Sequence, residues 1–403
     1  MGHTQKKFGA FSGVFTPSIL TILGVIMYMR LGWVVGQVGL YVAIGIILIA
    51  HVISVTTALS ISSIATDKKI KSGGIYYMLS RSLGLPMGGA IGLTLFVGTA
   101  LSIALYIVGF TESFLALDAI RDFLHLEASI DSIRIVGTAV IIFLVILAFI
   151  STSLAIKIQF FILAAIALSL VSIFVGLFLN GNSGTAIHYT PIQEHESFAF
   201  IFAIFFPAVT GFTAGVAMSG DLKNPKKDIP KGVIMSVVIG LIVYLSLAIG
   251  LAYFIDADSL VNDSNILLKI AWFAPLLIAG IWGATLSSAL GGILGGPRIL
   301  QAMSLDKVTP KIFGKGHGVN KEPRNALILT FLIAEAGILI GQLNVIARIV
   351  SMFYIAAYAF INLSYSLESW ASSDFRPSFR IPKAIGLIGF IAVSYTHLTL
   401  PTK

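Results

Sequence analysis

The sequence predicts an all-α polytopic membrane protein, on three observations. Of its 403 residues, 57% are hydrophobic and 11% are charged, and the mean hydropathy is +0.96. A water-soluble chain of this size cannot hide that much apolar surface in one core, and soluble surfaces are rich in charge. Uncharged runs of roughly 20 residues, the length that crosses bilayer hydrocarbon, recur along the chain. The basic residues fall on alternate loops, as they do when successive spans reverse direction.

The apolar spans run in order at about 12–35, 38–63, 87–116, 134–153, 156–179, 197–218, 231–255, 271–298, 325–341, 344–366 and 384–394, eleven in all with the last one short. With residues 1–11 taken as a cytoplasmic tail, twenty of the 26 Lys and Arg lie on the inner side, among them Lys6, Lys7, Lys68, Lys69, Lys71 and Lys321. Five lie outside (Arg30, Arg121, Arg134, Lys269 and Arg348), and Lys403 is in the final tail. Acidic residues such as Asp118, Asp122, Glu127, Asp131 and Asp256 fall outside. This asymmetry accounts for the net charge of +8 without a nucleic-acid partner. It predicts an integral protein of the plasma (inner) membrane with a cytoplasmic N-terminus.

The chain has no cysteine, which excludes disulfides, iron–sulfur clusters and cysteine-ligated zinc. The opening MGHTQKK has no cleavable signal pattern. No Walker-type phosphate loop and no HExxH occurs, so no cofactor and no enzymatic activity are expected. His188, Glu194, His195 and Glu196 cluster in an outer loop and are not read as a metal site. The eleventh span runs from AIGLIGFIAV into SYTHLTLPTK, polar where apolar residues should continue. The expected organisation is a tail over 1–11, a transport domain over 12–393 with an incomplete last span, and a non-native tail over 394–403.

The sixth span carries FPAVTGFTAG over 206–215, with Pro207, Thr210 and Gly211 at its middle. Each weakens a helix, by a missing donor, a stiff branched side chain or backbone entropy. Unwound backbone at membrane depth is tolerated where it lines a cavity or is buried in protein. Freed carbonyls there can coordinate a cation, and the N–H groups of a resumed helix can hold an anion. Transporters with inverted repeats use such breaks in corresponding positions of their halves. Five spans earlier, FTPSILTILGVIMYM carries Pro17 and Gly24 in the matching region.

Further stretches carry a resemblance: GVIMYMRLGWVVGQVG (24–39), SGGIYYMLSRSLG (72–84), IALYIVGFTES (103–113), FAIFFPAVTGFTAGVAMSGDLKNPKKDIPKG (202–232), ATLSSALGGILGGPRILQA (284–302) and AAYAFINLS (356–364). Over about residues 8–393 the chain resembles the cation–chloride cotransporter family of the amino acid–polyamine–organocation superfamily, and within it a prokaryotic sodium/potassium/chloride cotransporter-like member. The resemblance implies a leucine-transporter-like fold with a 5+5 inverted repeat and broken helices 1 and 6. It implies alternating-access symport of chloride with sodium, potassium or both, and a homodimer in the bilayer.

The resemblance also implies ion sites. Potassium would be held at Thr21, Ile22, Tyr106, Pro207 and Thr210. One chloride would lie on Gly24, Val25 and Ile26, a second on Gly211, Phe212, Thr213 and Tyr358. Sodium would use Leu20, Leu23, Ala284, Ser287 and Ser288. The family commonly has asparagine where this chain has Thr21 and tryptophan where it has Leu23, which bears on cation choice. Ser287 and Ser288 tilt the reading toward sodium coupling, against plain small-residue packing in ATLSSALGG. An amino acid permease of the same superfamily is the alternative. That class usually has a Gly-Ser-Gly-type run where this chain has LTILGVI. A non-transporting membrane sensor is a third reading.

Three ionisable residues fall within or near spans, where such groups are functional candidates. Glu112 is expected to pair with an outer basic residue, Arg30 foremost. Glu335 is expected at the surface or at a helix contact, and His51 as a packing histidine. DLKNPKKDIPKG (221–232) reads as a solvated connector whose Pro225 and Pro230 break helices, and 72–84 as a short cytoplasmic helix after a glycine turn.

Overall fold

In the computed structural model, residues 8–67, 74–150, 152–180, 189–192, 195–217, 222–317 and 322–399 are described. Lys6, Lys7, Lys68, Lys69, Lys71, Lys321 and Lys403 of the charge pattern, and His188 and Glu194 of the loop expected outside, lie beyond the described residues. The described chain is all-helical apart from two isolated bridges, Phe8 with Leu222 and His317 with Glu322.

The helices follow in order. A π-turn at Phe11–Phe15 leads into α1 (Thr16–Ile22) and α2 (Val25–Met29), then α3 (Leu31–Asp67), the short α4 (Gly74–Ser82) and α5 (Gly84–Leu115). Next come α6 (Asp118–Leu124), α7 (Ile130–Ile150), α8 (Thr152–Asn180) and α9 (Phe198–Phe205), a 3-10 turn at Phe206–Val209, and α10 (Thr213–Ala217). The rest are α11 (Pro225–Phe254), α12 (Ala257–Asn262), α13 (Ile266–Ile270), α14 (Ala274–Leu305), α15 (Arg324–Ile338), α16 (Leu343–Ala371) and α17 (Ala384–Thr399).

Eight stretches among the described residues are long and apolar enough to cross a membrane: residues 11–29, α3, α5, α7, α8, α11, α14 and α16. Of the eleven expected spans, the sixth, ninth and eleventh are shorter. The sixth is only the stretch Phe198–Val209, the ninth is the 15-residue α15, and α17 has its apolar part over Ala384–Ser394. The helix of α17 continues to Thr399, past the expected end of the transport domain at 393.

Packing explains why these segments are apolar on every side. α3 lies along α11, α14 lies against both α5 and α8, and α16 contacts α5 and α17. Leu31, Val34, Val35, Ile46 and Ile47 of α3 are completely or almost completely buried. The outward faces carry Phe143, Phe161 and Phe178, all more than 60% exposed. Hydrocarbon is as good a solvent for these rings as a protein core, so lipid-facing positions need no charge.

The first two expected spans meet differently from the sequence pattern. The helix stops at Arg30 and turns again at Gly39, whose φ of 70° and ψ of 173° are open to glycine almost alone. The kink releases the Gln37 carbonyl and the Tyr41 N–H. Both find partners on one strap: Ile192 N–H donates to Gln37 O and Tyr41 N–H donates to Tyr189 O, each at 3.3 Å. A side chain at 39 would have its Cβ 2.6 Å from backbone atoms of Thr190.

The expected connector at 221–232 is a correction. α11 begins at Pro225 and runs through Pro230 without stopping. Pro225 occupies the first helical turn, where its missing N–H has no acceptor to lose. Pro230 deprives only the carbonyl of Lys226, an exposed residue near the helix end that solvent can satisfy. The 72–84 segment is helical from Gly74, which has φ of 54°, to Ser82.

Gly39→Ala is expected to destabilise the protein by about 1–3 kcal/mol from backbone strain, with the Thr190 contact added. Thermal melting of the purified protein checks it. A melting temperature equal to the native one would mean that the strap moves aside freely.

Candidate functional site

α1 ends at Ile22, and Leu23 (φ −84°, ψ 45°) and Gly24 (φ −101°, ψ −149°) leave the helical region before α2 starts. The last carbonyls of α1 and the first N–H groups of α2 therefore lack helical partners. The second non-helical turn runs from the 3-10 residues Phe206–Val209 through Thr210, Gly211 and Phe212 to α10. Pro207 O accepts from Thr210 N at 3.3 Å and from Thr210 Oγ1 at 2.9 Å, which closes this turn on itself.

The two turns touch. A Cβ on Gly211 would lie 2.6 Å from Cβ of Thr21 and 2.8 Å from the backbone nitrogen of Ile22, so only glycine lets the backbones come this close. The Ser18 hydroxyl of α1 donates to Phe212 O at 3.1 Å and ties the same pair. The expected residues Leu20, Thr21, Ile22, Leu23, Gly24, Val25 and Ile26 thus meet Pro207, Thr210, Gly211, Phe212 and Thr213 in one region. Most of them are fully buried; Thr21 and Thr213 are half-buried.

Hydroxyls from surrounding helices occupy the released carbonyls. Tyr358 of α16 donates to Thr210 O at 2.9 Å. Ser54 of α3 donates to Val209 O at 2.8 Å, and Tyr244 of α11 to Ile22 O at 2.7 Å. Thr21 donates to Pro17 O at 2.6 Å, and Thr213 to Thr210 O at 3.3 Å. Ser18, Ser54 and Tyr244 were not singled out from the sequence. Each is an ordinary apolar-helix hydroxyl there, and only Tyr358 had a motif to mark it. None of these donors carries a charge.

Tyr106 of α5 is 8% exposed, and among the described residues no group hydrogen-bonds its hydroxyl. One turn on, Gly109 packs against Val25 of α2. α14 lies against α1. On it Ala284 is fully buried, Ser287 is half-buried, and the Ser288 hydroxyl is buried with no partner. No hydrogen bond among the described residues joins Ser287 or Ser288 to Leu20 or Leu23.

At the C-terminal end of α2, Arg30 holds Glu112 of α5 by Nη2, at 2.9 and 3.2 Å to the two carboxylate oxygens. Its Nε donates to Asn344 Oδ1 of α16 at 2.5 Å. The pair expected from the sequence is present, and Asn344 joins it. Glu335 bonds Thr138 of α7 at 2.6 Å through one oxygen, a contact between α15 and α7. The Nδ1 of His51 bonds Ile47 O at 2.8 Å within α3. At the opposite end, Tyr76 and Arg81 of α4 both bond Asp306 at 3.0 Å. Burial, with Asp306 beside it, pushes the Tyr76 phenol up to about 12. Among the described residues no His, Asp and Glu group has the grouping of a metal centre.

Comparison with known proteins adds the family. The amino acid permease model matches residues 13–399. The chain is 35% identical to solute carrier family 12 member 2 of Mus musculus, over 96% of this chain and 36% of that one. It is 36% identical to the same-named protein of Squalus acanthias, over 96% and 37%, and 34% identical to solute carrier family 12 member 1 of Homo sapiens, over 93% and 39%. The chain thus spans less than two-fifths of the length of these relatives.

The Arg30–Glu112 pair has side chains only 14% and 20% exposed. Arg30→Gln is expected to strand a partly buried carboxylate and to cost more stability than the double variant Arg30→Gln/Glu112→Gln. A coupling on the order of 1 kcal/mol is anticipated. Melting of the native, two single and double forms measures it, and additive effects would remove the pair from the list of stabilising contacts.

Proposed function

The chain belongs to the amino acid permease family, a family of transporters and not of enzymes, and we propose that it is a secondary active transporter coupling chloride to sodium and/or potassium by alternating access. The carrying observation is the contact of the two non-helical turns, with Gly211 seated on Thr21 and Ile22 among uncharged hydroxyls. In this reading the turns are the broken first and sixth helices of a leucine-transporter-like inverted repeat. Their carbonyls face a cation and the N–H groups of the resumed helices face chloride.

Potassium is assigned to Thr21, Ile22, Tyr106, Pro207 and Thr210. The phenol of Tyr106 supports this, because a hydroxyl without a hydrogen-bond partner among the described residues is available to a ligand. Chloride is assigned to Gly24, Val25 and Ile26, and to Gly211, Phe212, Thr213 and Tyr358. Sodium is assigned to Leu20, Leu23, Ala284, Ser287 and Ser288, and the orphan hydroxyl of Ser288 supports it in the same way. None of these residues is a carboxylate. Bound chloride then supplies the charge that offsets the cation, which favours electroneutral symport. The Arg30–Glu112–Asn344 cluster is read as an outer gate that closes over the site, and homodimerisation is part of the same proposal.

The test is uptake of rubidium and labelled chloride into proteoliposomes, with each ion omitted in turn. Each flux is expected to require the other ion. An amino acid flux with neither ion moving would replace this reading by the permease one. Ser288→Ala is expected to abolish sodium dependence of rubidium uptake, and unchanged dependence would return Ser288 to helix packing. Tyr106→Phe is expected to raise half-saturating rubidium by about tenfold or more, the worth of one hydrogen bond to a charged group, while leaving half-saturating sodium in place. An equal shift for both ions would remove Tyr106 from the potassium site.

A further inference from the structure

Tyr244 stands apart among the hydroxyls that fill released carbonyls. It is completely buried, on α11, and its phenol donates to Ile22 O at 2.7 Å across a separation of 222 residues. The ring is fixed from two sides. Phe205 meets it edge-on with centroids 5.4 Å apart, and His51 of α3 meets it edge-on at 6.0 Å. One turn earlier, Gly240 brings α11 against the side chain of Ile22; a Cβ there would lie 2.6 Å from Ile22 Cγ2. The hydroxyl therefore has one acceptor, held in place by three elements.

Ile22 O ends α1 and has no helical donor; its neighbour Ile19 O takes the N–H of Leu23 at 2.8 Å. Leu20 O and Thr21 O accept no side-chain donor among the described residues, so the phenol selects one carbonyl of the last turn. A carbonyl oxygen has two lone pairs. One accepts the phenol, and the other stays free for a cation. The hydrogen bond also draws electron density from the oxygen, which lowers the field it offers. Small alkali cations hold water tightly and need high-field ligands, whereas larger ones are satisfied by weaker ones.

We infer that the Tyr244 hydroxyl sets cation selectivity by tempering the Ile22 carbonyl, biasing the site toward larger alkali cations. Tyr244 is a positioning and specificity-determining residue in this account, and it makes no contact with the ion. The inference rests on the reading of Ile22 as a cation ligand. Loss of the phenol raises the field of that oxygen and favours the smaller ion. A stronger donor in the same place does the reverse.

The experiment reads selectivity without turnover. The purified 403-residue chain in detergent is melted against potassium chloride and caesium chloride, with an organic-cation chloride as blank. Tyr244→Phe is expected to raise the ratio of half-saturating caesium to half-saturating potassium on the order of fivefold, the worth of one neutral hydrogen bond. 3-Fluorotyrosine at position 244, which keeps the shape and strengthens the donor, is expected to lower the same ratio. It carries the test alone if Tyr244→Phe does not fold. A merely structural phenol would weaken both salts together and leave the ratio unchanged in either variant, which overturns the inference alone. A native protein whose melting responds to neither salt overturns the cation-site reading, and this inference with it.

Discussion

Hydrocarbon offers no hydrogen bond, so every backbone group that leaves a helix inside the bilayer must find its partner within the protein, at a penalty of several kcal/mol if it does not. Here two non-helical turns solve this together. Ser18 reaches from α1 to Phe212 O, Ser54 from α3 to Val209 O, Tyr244 from α11 to Ile22 O, and Tyr358 from α16 to Thr210 O. The positions of these helices around the turns follow from that requirement. Removing any one donor leaves the buried carbonyl it serves without that partner.

The same requirement shapes the supporting layer. Asn362, one turn beyond Tyr358, uses its whole amide: Nδ2 donates to Thr57 Oγ1 at 2.8 Å and to Tyr358 O at 3.0 Å, and Oδ1 accepts from Ser60 at 2.9 Å. α16 is thereby held to α3 at the level of Tyr358. α17 closes on this node through Gly386 and Gly389, whose missing side chains leave space for Ser366, Asn362 and Thr56. Fully satisfied buried networks of this kind fix one arrangement of helices. Arg30 does the same at the other end, joining α2, α5 and α16 through Glu112 and Asn344.

Neutral donors also decide what the region can hold. A buried carboxylate or ammonium would bring a fixed charge and a desolvation cost that needs a partner. Hydroxyls, carbonyls and N–H groups bring dipoles of both signs and no net charge. Such a lining can hold a ligand by its dipoles and adds no fixed charge of its own.

The membrane class and the positions of most long helices were legible in the amino-acid sequence, because hydropathy runs report what lipid accepts at each residue independently. The weak points at Gly24, Pro207 and Gly211 were legible too, since proline and glycine act on their own backbone; Pro17 instead sits in the first turn of α1, where a proline is tolerated. The pairing of Arg30 with Glu112 followed from the scarcity of charge near membrane ends. What only the tertiary structure decided were relations across long sequence separations: Gly211 against Thr21, the phenol of Tyr244 on Ile22 O, and the strap at Tyr189–Ile192 that completes the kink at Gly39. Pro230 inside α11 belongs there as well, because its tolerance depends on where the helix starts and on solvent at Lys226. Serine and tyrosine in an apolar helix look alike in one dimension; the carbonyl each one serves exists only after the helices have packed.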